Sequence, residues 1–511
     1  MELKREEYKI SRCVCRGSAQ AYSSGDIIVP DTKPDVIKVI QVDAASAIED
    51  KQIRDNKITI AGKVNLKILY VPDKEDCKVC SINTSFDFSE DITCKNAAAG
   101  MYLTAMSNVS NADFSVVNSR KLRVRVSVTL DYDVTDMSGE YIACGAEDET
   151  AELMTDNIVI NNIREICEHK FILQEKFELP IGQPPVSELL KCETQITDTE
   201  YKAINGRIII KGMLVICALY LSEDGVPENA EIETPFTEVI DSENVTDNSE
   251  CDIEYDIINV FCDTAEDSDG DIRVINAEAE ARAQIKVMEK TEIGIIKDCY
   301  VPGMKTELQR ETLSIEEIVA SLSAQNTIKE TVEISSGAPS VKSIYNIVMK
   351  PHLTKVETAD GKVLCEGKTE AYILYLSDSG DSPVYSLKKE IPFAYTLEDD
   401  AVEAGLTAQM SAEIKHSGYT LNAAGEVELR CILALGARVT KKRDEQIVTE
   451  AEAIEEDGGE RCGIVIYYIQ NGDSLWDIAK HYAVARDKIA KYNELAENEA
   501  LKQGEKLFIP N

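Results

Sequence analysis

Apolar and polar residues alternate over a stretch that the chain repeats three times. Ile58, Ile60, Gly62, Val64, Leu66 and Ile68 share one parity. So do Ile208, Ile210, Gly212, Leu214, Ile216 and Ala218, and later Val363, Cys365, Gly367, Thr369, Ala371 and Ile373. Period two predicts a long strand with one buried face. The glycine in mid-strand loses packing, so it marks a bulge, a bend or a close backbone approach. A second alternating run follows in each copy: RKLRVRVSVTLDYDV, with Leu122, Val124, Val126 and Val128 facing one way, then DIRVINAEAEARAQIKV, then EVELRCILALGARV.

The copies keep register beyond these strands. Each begins at a proline (Pro34, Pro184, Pro339), followed two residues on by Val36, Val186 or Val341, and three later by Val39, Leu189 or Ile344. The strand glycine lies 28 residues after the proline, and a tyrosine (Tyr70, Tyr220, Tyr375) eight residues after the glycine. A phenylalanine follows after 16, 16 and 18 residues: Phe86, Phe236 and Phe393. Repetition at fixed offset indicates a repeated structural unit. One-sided strands bury their faces in an aligned sandwich, so the expected fold is multidomain and mainly β, with three β-sandwich-like domains at 1–150, 166–300 and 325–443. Between the second and third, SIEEIVASLSAQ after Leu313 has helical spacing. Residues 444–460 are acidic and poorly patterned, and read as a flexible linker.

The pattern changes in residues 461–511. Ile464 to Ile469 is a β-branched and aromatic run, and Gly472-Asp473-Ser474 turns the chain, with Asp473 or Ser474 available as a helix cap. Leu475, Ile478, Ala479 and Tyr482 lie on one helical face. A second helix starts near Arg486, presents Ile489 and Tyr492, and ends by Asn493; Leu507 and Ile509 alternate in a strand that stops at Pro510. The expected module is a small α+β unit of order βααβ. Trp476, the only tryptophan, sits off the main apolar face. It is read equally as an interface anchor or as the edge of a small core.

Charge narrows the function. The chain carries 54 basic and 92 acidic side chains, a net of -38. Nucleic acids and anionic membrane surfaces need basic patches, so both are disfavoured as partners. Residues 461–511 hold 7 basic and 7 acidic side chains, so the last module is neutral and the body bears the whole excess. No run has signal-peptide character and none is long and apolar enough to span a membrane. The 15 scattered cysteines suit a reducing compartment. A cytoplasmic protein is expected.

Signals for chemistry are poor. His169, His352, His416 and His481 have no metal-ligand spacing, and no Gly-x-Ser-x-Gly elbow occurs. Gly361 with Gly367-Lys368-Thr369 resembles a phosphate loop, but the glycines are misspaced and Gly367 is in mid-strand, not at a helix start. Cys77 and Cys80 form a lone CxxC, for which Cys94, Cys13 and Cys15 are the conceivable further zinc ligands; free thiols are the plainer reading. Glu266-Asp267-Ser268-Asp269 reads as a solvated hairpin tip rather than a calcium site. No enzyme activity, no cofactor and no metal is expected.

The C-terminal residues resemble a LysM module: Gly472-Asp473-Ser474-Leu475-Trp476, Ile478-Ala479, Asn493-Glu494-Leu495, Leu501, Gly504 and Leu507-Phe508-Ile509-Pro510. That resemblance implies a paired antiparallel ribbon with both helices on one side, and a groove for N-acetylglucosamine polymers. Its walls would be Gly472, Asp473, Ser474 and Leu475, with Trp476 adjoining, and Leu501, Gln503, Gly504, Ile509 and Pro510. Three repeats ahead of a LysM module resemble the SipL-like spore-coat morphogenetic proteins, whose repeats are SPOCS domains. The resemblance implies a non-enzymatic adaptor in endospore coat assembly, made in the mother cell and gathered at the forespore surface. It implies contact with SpoIVA, the coat-basement ATPase, through the LysM module, and contact with other coat proteins through the SPOCS repeats. The alternative is a protein of the spore envelope that binds peptidoglycan or N-acetylglucosamine polymer.

Overall fold

The computed structural model describes residues 1–74, 79–333, 339–377, 384–422, 425–454, 463–495 and 501–510. Copy one holds β1 (Leu3–Lys9), β2 (Arg12–Ile28), β3 (Val36–Arg54), β4 (Lys57–Pro72), β5 (Cys80–Thr93), β6 (Tyr102–Asn118), β7 (Lys121–Asp136) and β8 (Gly139–Ala146). Copy two holds β9 (Glu152–Glu178), β10 (Val186–Ile204), β11 (Arg207–Ser222), β12 (Pro227–Asp241), β13 (Glu250–Glu266) and β14 (Ile272–Tyr300). Copy three holds β15 (Lys305–Val332), β16 (Ser343–Ala359), β17 (Lys362–Leu376), β18 (Val384–Glu398), β19 (Thr407–Leu421) and β20 (Val427–Ile454). The last module holds β21 (Ile464–Tyr468), α1 (Leu475–His481), α2 (Arg486–Tyr492) and β22 (Lys506–Pro510).

Each copy is a sandwich of two antiparallel three-stranded sheets: β3-β4-β5 over β2-β7-β6, β10-β11-β12 over β13-β14-β9, and β16-β17-β18 over β15-β20-β19. The alternating runs are the middle strands, and their shared-parity residues form the three cores. Three devices recur. A β-bulge interrupts the strand beside each glycine: at Ile48/Asp50 opposite Gly62, at Thr197/Glu200 opposite Gly212, and at Leu353/Lys355 opposite Gly367. An aromatic ring covers each glycine, and the register pairs Gly62 with Phe88, Gly212 with Phe236 and Gly367 with Phe393. Copy one therefore uses Phe88 where the spacing pointed to Phe86; Phe86 instead lies against Gly25. Finally, the hydroxyls of Tyr70, Tyr220 and Tyr375 donate to the carbonyls of Pro34, Pro184 and Pro339 at 3.0, 3.2 and 3.2 Å. This bond ties the end of the middle strand to the turn that opens the copy. Tyr220→Phe is expected to lower stability by about 1 kcal/mol by leaving that carbonyl without its partner, read as a reduced thermal midpoint. A Tyr220→Phe chain that melts like the parent would remove the role assigned to this bond.

Two expectations are corrected. Residues 314–325 are strand, part of β15, not helix. A bulge between Ile318 and Ala320 inserts one residue into the alternation. Apolar side chains then fall at 315, 318, 319 and 322, which imitates helical spacing. The supposed linker is strand as far as Ile454, because Ile447, Val448 and Ala451 point inward while the acidic residues between them mostly face solvent; residues 455–460 lie outside the described residues. Copies two and three accordingly run from 152 to 300 and from 305 to 454.

These long strands carry the copies into one another. The first part of β9 pairs with the last part of β14, the first part of β15 with the last part of β20, and β1 with β8. The three ribbons share one apolar cluster through Ile10, Ile142, Ile158, Ile160, Ile293, Ile295, Leu313, Ile315 and Ile447. A second shared cluster is built from equivalent positions of the copies: Leu69, Leu219 and Leu374, with Ile40, Leu190 and Tyr345. The copies thus meet about a pseudo-threefold axis. Polar links join them as well. Asp133, Lys286 and Arg438 occupy the same position of β7, β14 and β20. Lys286 and Arg16 pair with Asp133 at 3.1 and 2.9 Å, Arg16 reaches Glu316 at 3.4 Å, and Arg438 pairs with Asp252. Burial opposes ionisation of Asp133, but the charges of Lys286 and Arg16 outweigh it and hold its carboxyl below the ordinary range. Its contribution is therefore present above the ordinary carboxylate pKa and is lost as pH falls through the depressed value.

Cys192 and Cys262 form a disulfide between the two sheets of copy two, a pairing the scattered cysteines did not suggest. Cys80 is buried, and Cys77 lies outside the described residues. Asp267 is engaged in its own turn, accepting from the amides of Asp269 and Asp271 at 2.9 and 3.0 Å.

Candidate partner-binding site

The C-terminal module forms because its two short strands pair antiparallel, Ile464 opposite Pro510 and Tyr468 opposite Lys506. One face of that ribbon turns toward the helices. Leu507, Ile509, Ile478, Ala479, Val484 and Ile489 make the core. Ser474 caps α1: its Oγ accepts from the amide of Asp477 at 3.0 Å and donates to the Asp477 carboxylate at 2.5 Å. Asp473 does not cap. Its Oδ2 accepts from the Tyr467 hydroxyl and the Gln470 amide, both at 2.7 Å, which closes the strand-to-helix turn. Gly472 makes that turn with φ +93°, a conformation disfavoured for residues with a Cβ.

The proposed groove residues divide in the structure. Gly472, Ser474, Gln503 and Gly504 are exposed, and Asp473, Leu475 and Leu501 are half-buried. The two loops adjoin, since the Gly504 amide donates to the Ile469 carbonyl at 2.9 Å. Ile509 and Pro510 are buried, so they support the module from within rather than line an open wall.

Trp476 is buried, and it joins the core of the small module to the body of the chain. Its indole stacks edge-on against Tyr300, with ring centroids 5.2 Å apart, and its Nε1 donates to Asp298 at 2.8 Å. Lys480 donates to the other oxygen of Asp298, as does Arg310 at 2.7 Å. The Tyr300 hydroxyl donates to the Val484 carbonyl at 2.9 Å, and the Gly303 amide to the Ala483 carbonyl at 2.7 Å. Burial would raise the pKa of Asp298, but the bonds from Lys480 and Trp476 and the charges of Lys480 and Arg310 prevail and hold it low.

A surface that sequence reading missed is the outward face of the same ribbon. Ile464, Ile466 and Tyr468 are about half exposed, and Phe508 is exposed beside them. Alternation from buried Leu507 and Ile509 places the neighbours outside, and that parity was the available signal. Four large apolar side chains on one solvent face of so small a module form an apolar patch of the kind that marks interaction sites.

Other chemistry is dispersed. His169 lies near Glu238 and His352 near Glu370, while His481 is exposed against Tyr482. Among the described residues no group of three or more His, Cys, Asp or Glu side chains is placed to hold a metal, and no helix is long and apolar enough to cross a membrane.

Residues 35–117, 185–265 and 340–422 match the family described as SipL, SPOCS domain, and residues 467–510 match the LysM domain. Each SPOCS match runs from the opening turn of a copy through β3–β6, β10–β13 or β16–β19 and leaves out the strands on either side. Neither a curated protein nor a solved structure matches the chain.

Proposed function

From the premise that this chain belongs to the SipL, SPOCS-domain family and ends in a LysM domain, we propose that it is a non-enzymatic adaptor of endospore coat assembly. Its domains mark it as a sporulation protein with a module of the peptidoglycan-binding type. In the proposed reading it works in the mother-cell cytoplasm at the forespore surface. There its LysM domain binds SpoIVA, the coat-basement ATPase, and its SPOCS repeats are available to other coat proteins. The observation that supports a protein ligand is the outward apolar face of Ile464, Ile466, Tyr468 and Phe508. A flat apolar ribbon suits a polypeptide surface. A sugar chain is held by polar groups and aromatic platforms in a groove.

Ile466→Glu places a charge in the middle of that face without touching the module's core. It is expected to cut capture of SpoIVA by at least tenfold, the equivalent of about 1.4 kcal/mol, while circular dichroism stays that of the parent. Undiminished capture would remove the outward face from the account.

The second reading is a glycan binder, and the adjoining exposed loops at Gly472–Ser474 and Gln503–Gly504 favour it. It predicts co-sedimentation with insoluble peptidoglycan that is lost on Ser474→Trp; failure to co-sediment would reject it.

A further inference from the structure

The tryptophan of the LysM domain packs against the second copy rather than solvent, and the contact is a built one. Asp298 receives three donors, from Trp476, Lys480 and Arg310, two of them from α1 and one from β15. Tyr300 is almost wholly buried and counts among the residues of the LysM core. Two bonds to the loop after α1, at Ala483 and Val484, fix the module's position in a second direction. A head free on a tether would leave Tyr300 and Trp476 in water and Asp298 with one partner. Charge-assisted bonds to a shielded carboxylate are the strong kind, and an aromatic pair adds to them.

We infer that this contact is a masking clasp: closed, it locks the LysM domain to the body, withholds Trp476 and the adjoining face of α1 from any outside partner, and leaves the outward ribbon face on offer. A ligand that requires Trp476 must first break the Asp298 contacts. The clasp thereby decides which side of the module a partner meets. The inference stands on intramolecular geometry and does not depend on which partner the module binds.

Because Trp476 is the only tryptophan, the intact chain reports the clasp by its own fluorescence. The parent is expected to emit at short wavelength and to be quenched weakly by acrylamide. Asp298→Ala and Lys480→Glu each remove or reverse one side of the clasp, and each is expected to shift emission to the red with a severalfold rise in the quenching constant. Lys480 lies on the LysM side, so its variant carries the test even where Asp298→Ala disturbs the body; circular dichroism and the main thermal transition identify that case. Unchanged emission and quenching in Lys480→Glu would overturn the inference, for Trp476 would then be buried by the LysM domain alone. Parent emission already at the wavelength of a solvated indole would overturn it equally.

Discussion

Gly62→Ala is expected to destabilise copy one more than any other single methyl group added at a repeat glycine. A Cβ at Gly62 would stand 2.1 Å from the carbonyl oxygen of Ala47 and 2.8 Å from the Phe88 ring. A ring at the far end of a side chain moves aside, but a backbone carbonyl inside a bulged strand does not. Overpacking of this kind costs about 1–3 kcal/mol and sometimes more. The repeats rank themselves: at Gly367 the nearest atoms are Phe393 at 2.4 Å and the His352 carbonyl at 2.5 Å, whereas at Gly212 they are Phe236 at 2.8 Å and the Thr197 carbonyl at 3.3 Å. Gly212→Ala should therefore be mildest, and Phe236→Leu should rescue it. Phe88→Leu should not rescue Gly62→Ala. Thermal and urea melts of these five chains check the order; a rescue of Gly62→Ala by Phe88→Leu would show that the carbonyl is not the obstacle. Because the chain has several domains, midpoints are compared rather than a single unfolding free energy.

The second large effect is expected at Arg282, which is fully buried between copies one and two. Its Nη1 donates to the Ile48 carbonyl of β3 at 3.0 Å, and its Nη2 donates to Asp256 at 2.5 Å. Ile48 is the residue at the bulge opposite Gly62, so the device that accommodates the glycine also presents a carbonyl to the neighbouring copy. Burial raises the pKa of Asp256 even with Arg282 beside it. Removing the guanidinium strands a shielded carboxylate, a change worth about 3–5 kcal/mol. Arg282→Ala should lower the first thermal transition markedly. Arg282→Met combined with Asp256→Leu should recover most of the loss, since an apolar pair of similar volume has no buried charge to compensate. A double variant as unstable as Arg282→Ala would mean that the bond to Ile48, not the charge pair, holds the copies. Gly62→Ala and Arg282→Ala act on adjacent residues, so their effects are not expected to add.

What was legible in the sequence was local and periodic. Alternation at Ile58–Ile68 and Leu122–Val128 fixes which side chains enter a core, and the structure uses those same side chains. The spacing from Pro184 to Tyr220 was visible, though the hydrogen bond that explains it was not. The failures have physical causes. A bulge at Ile318 shifts alternation by one residue and counterfeits a helix. In copy one, two phenylalanines lie two residues apart with the same parity, and spacing alone chose Phe86 over Phe88. The stretch 444–454 looked unpatterned because four of its eleven residues are acidic, yet Ile447, Val448 and Ala451 hold it in a sheet. Nothing local announces that Asp133 meets Lys286 and Arg438 meets Asp252 across neighbouring copies, or that Trp476 finds Asp298 at a sequence distance of 178 residues. Such contacts are set by how the finished sandwiches pack. In the LysM module the turn glycine, a cap at Asp473 or Ser474 and the alternation of Leu507 and Ile509 were readable, whereas the burial of Pro510 emerges only once the ribbon is seated on its helices.

Capture of SpoIVA by the intact chain, set beside capture by a chain ending at Glu460, tests the adaptor reading most directly. The account predicts strong capture by the intact chain and loss of it without residues 461–511, with the three SPOCS copies still folded by circular dichroism. Equal capture by both chains would contradict it.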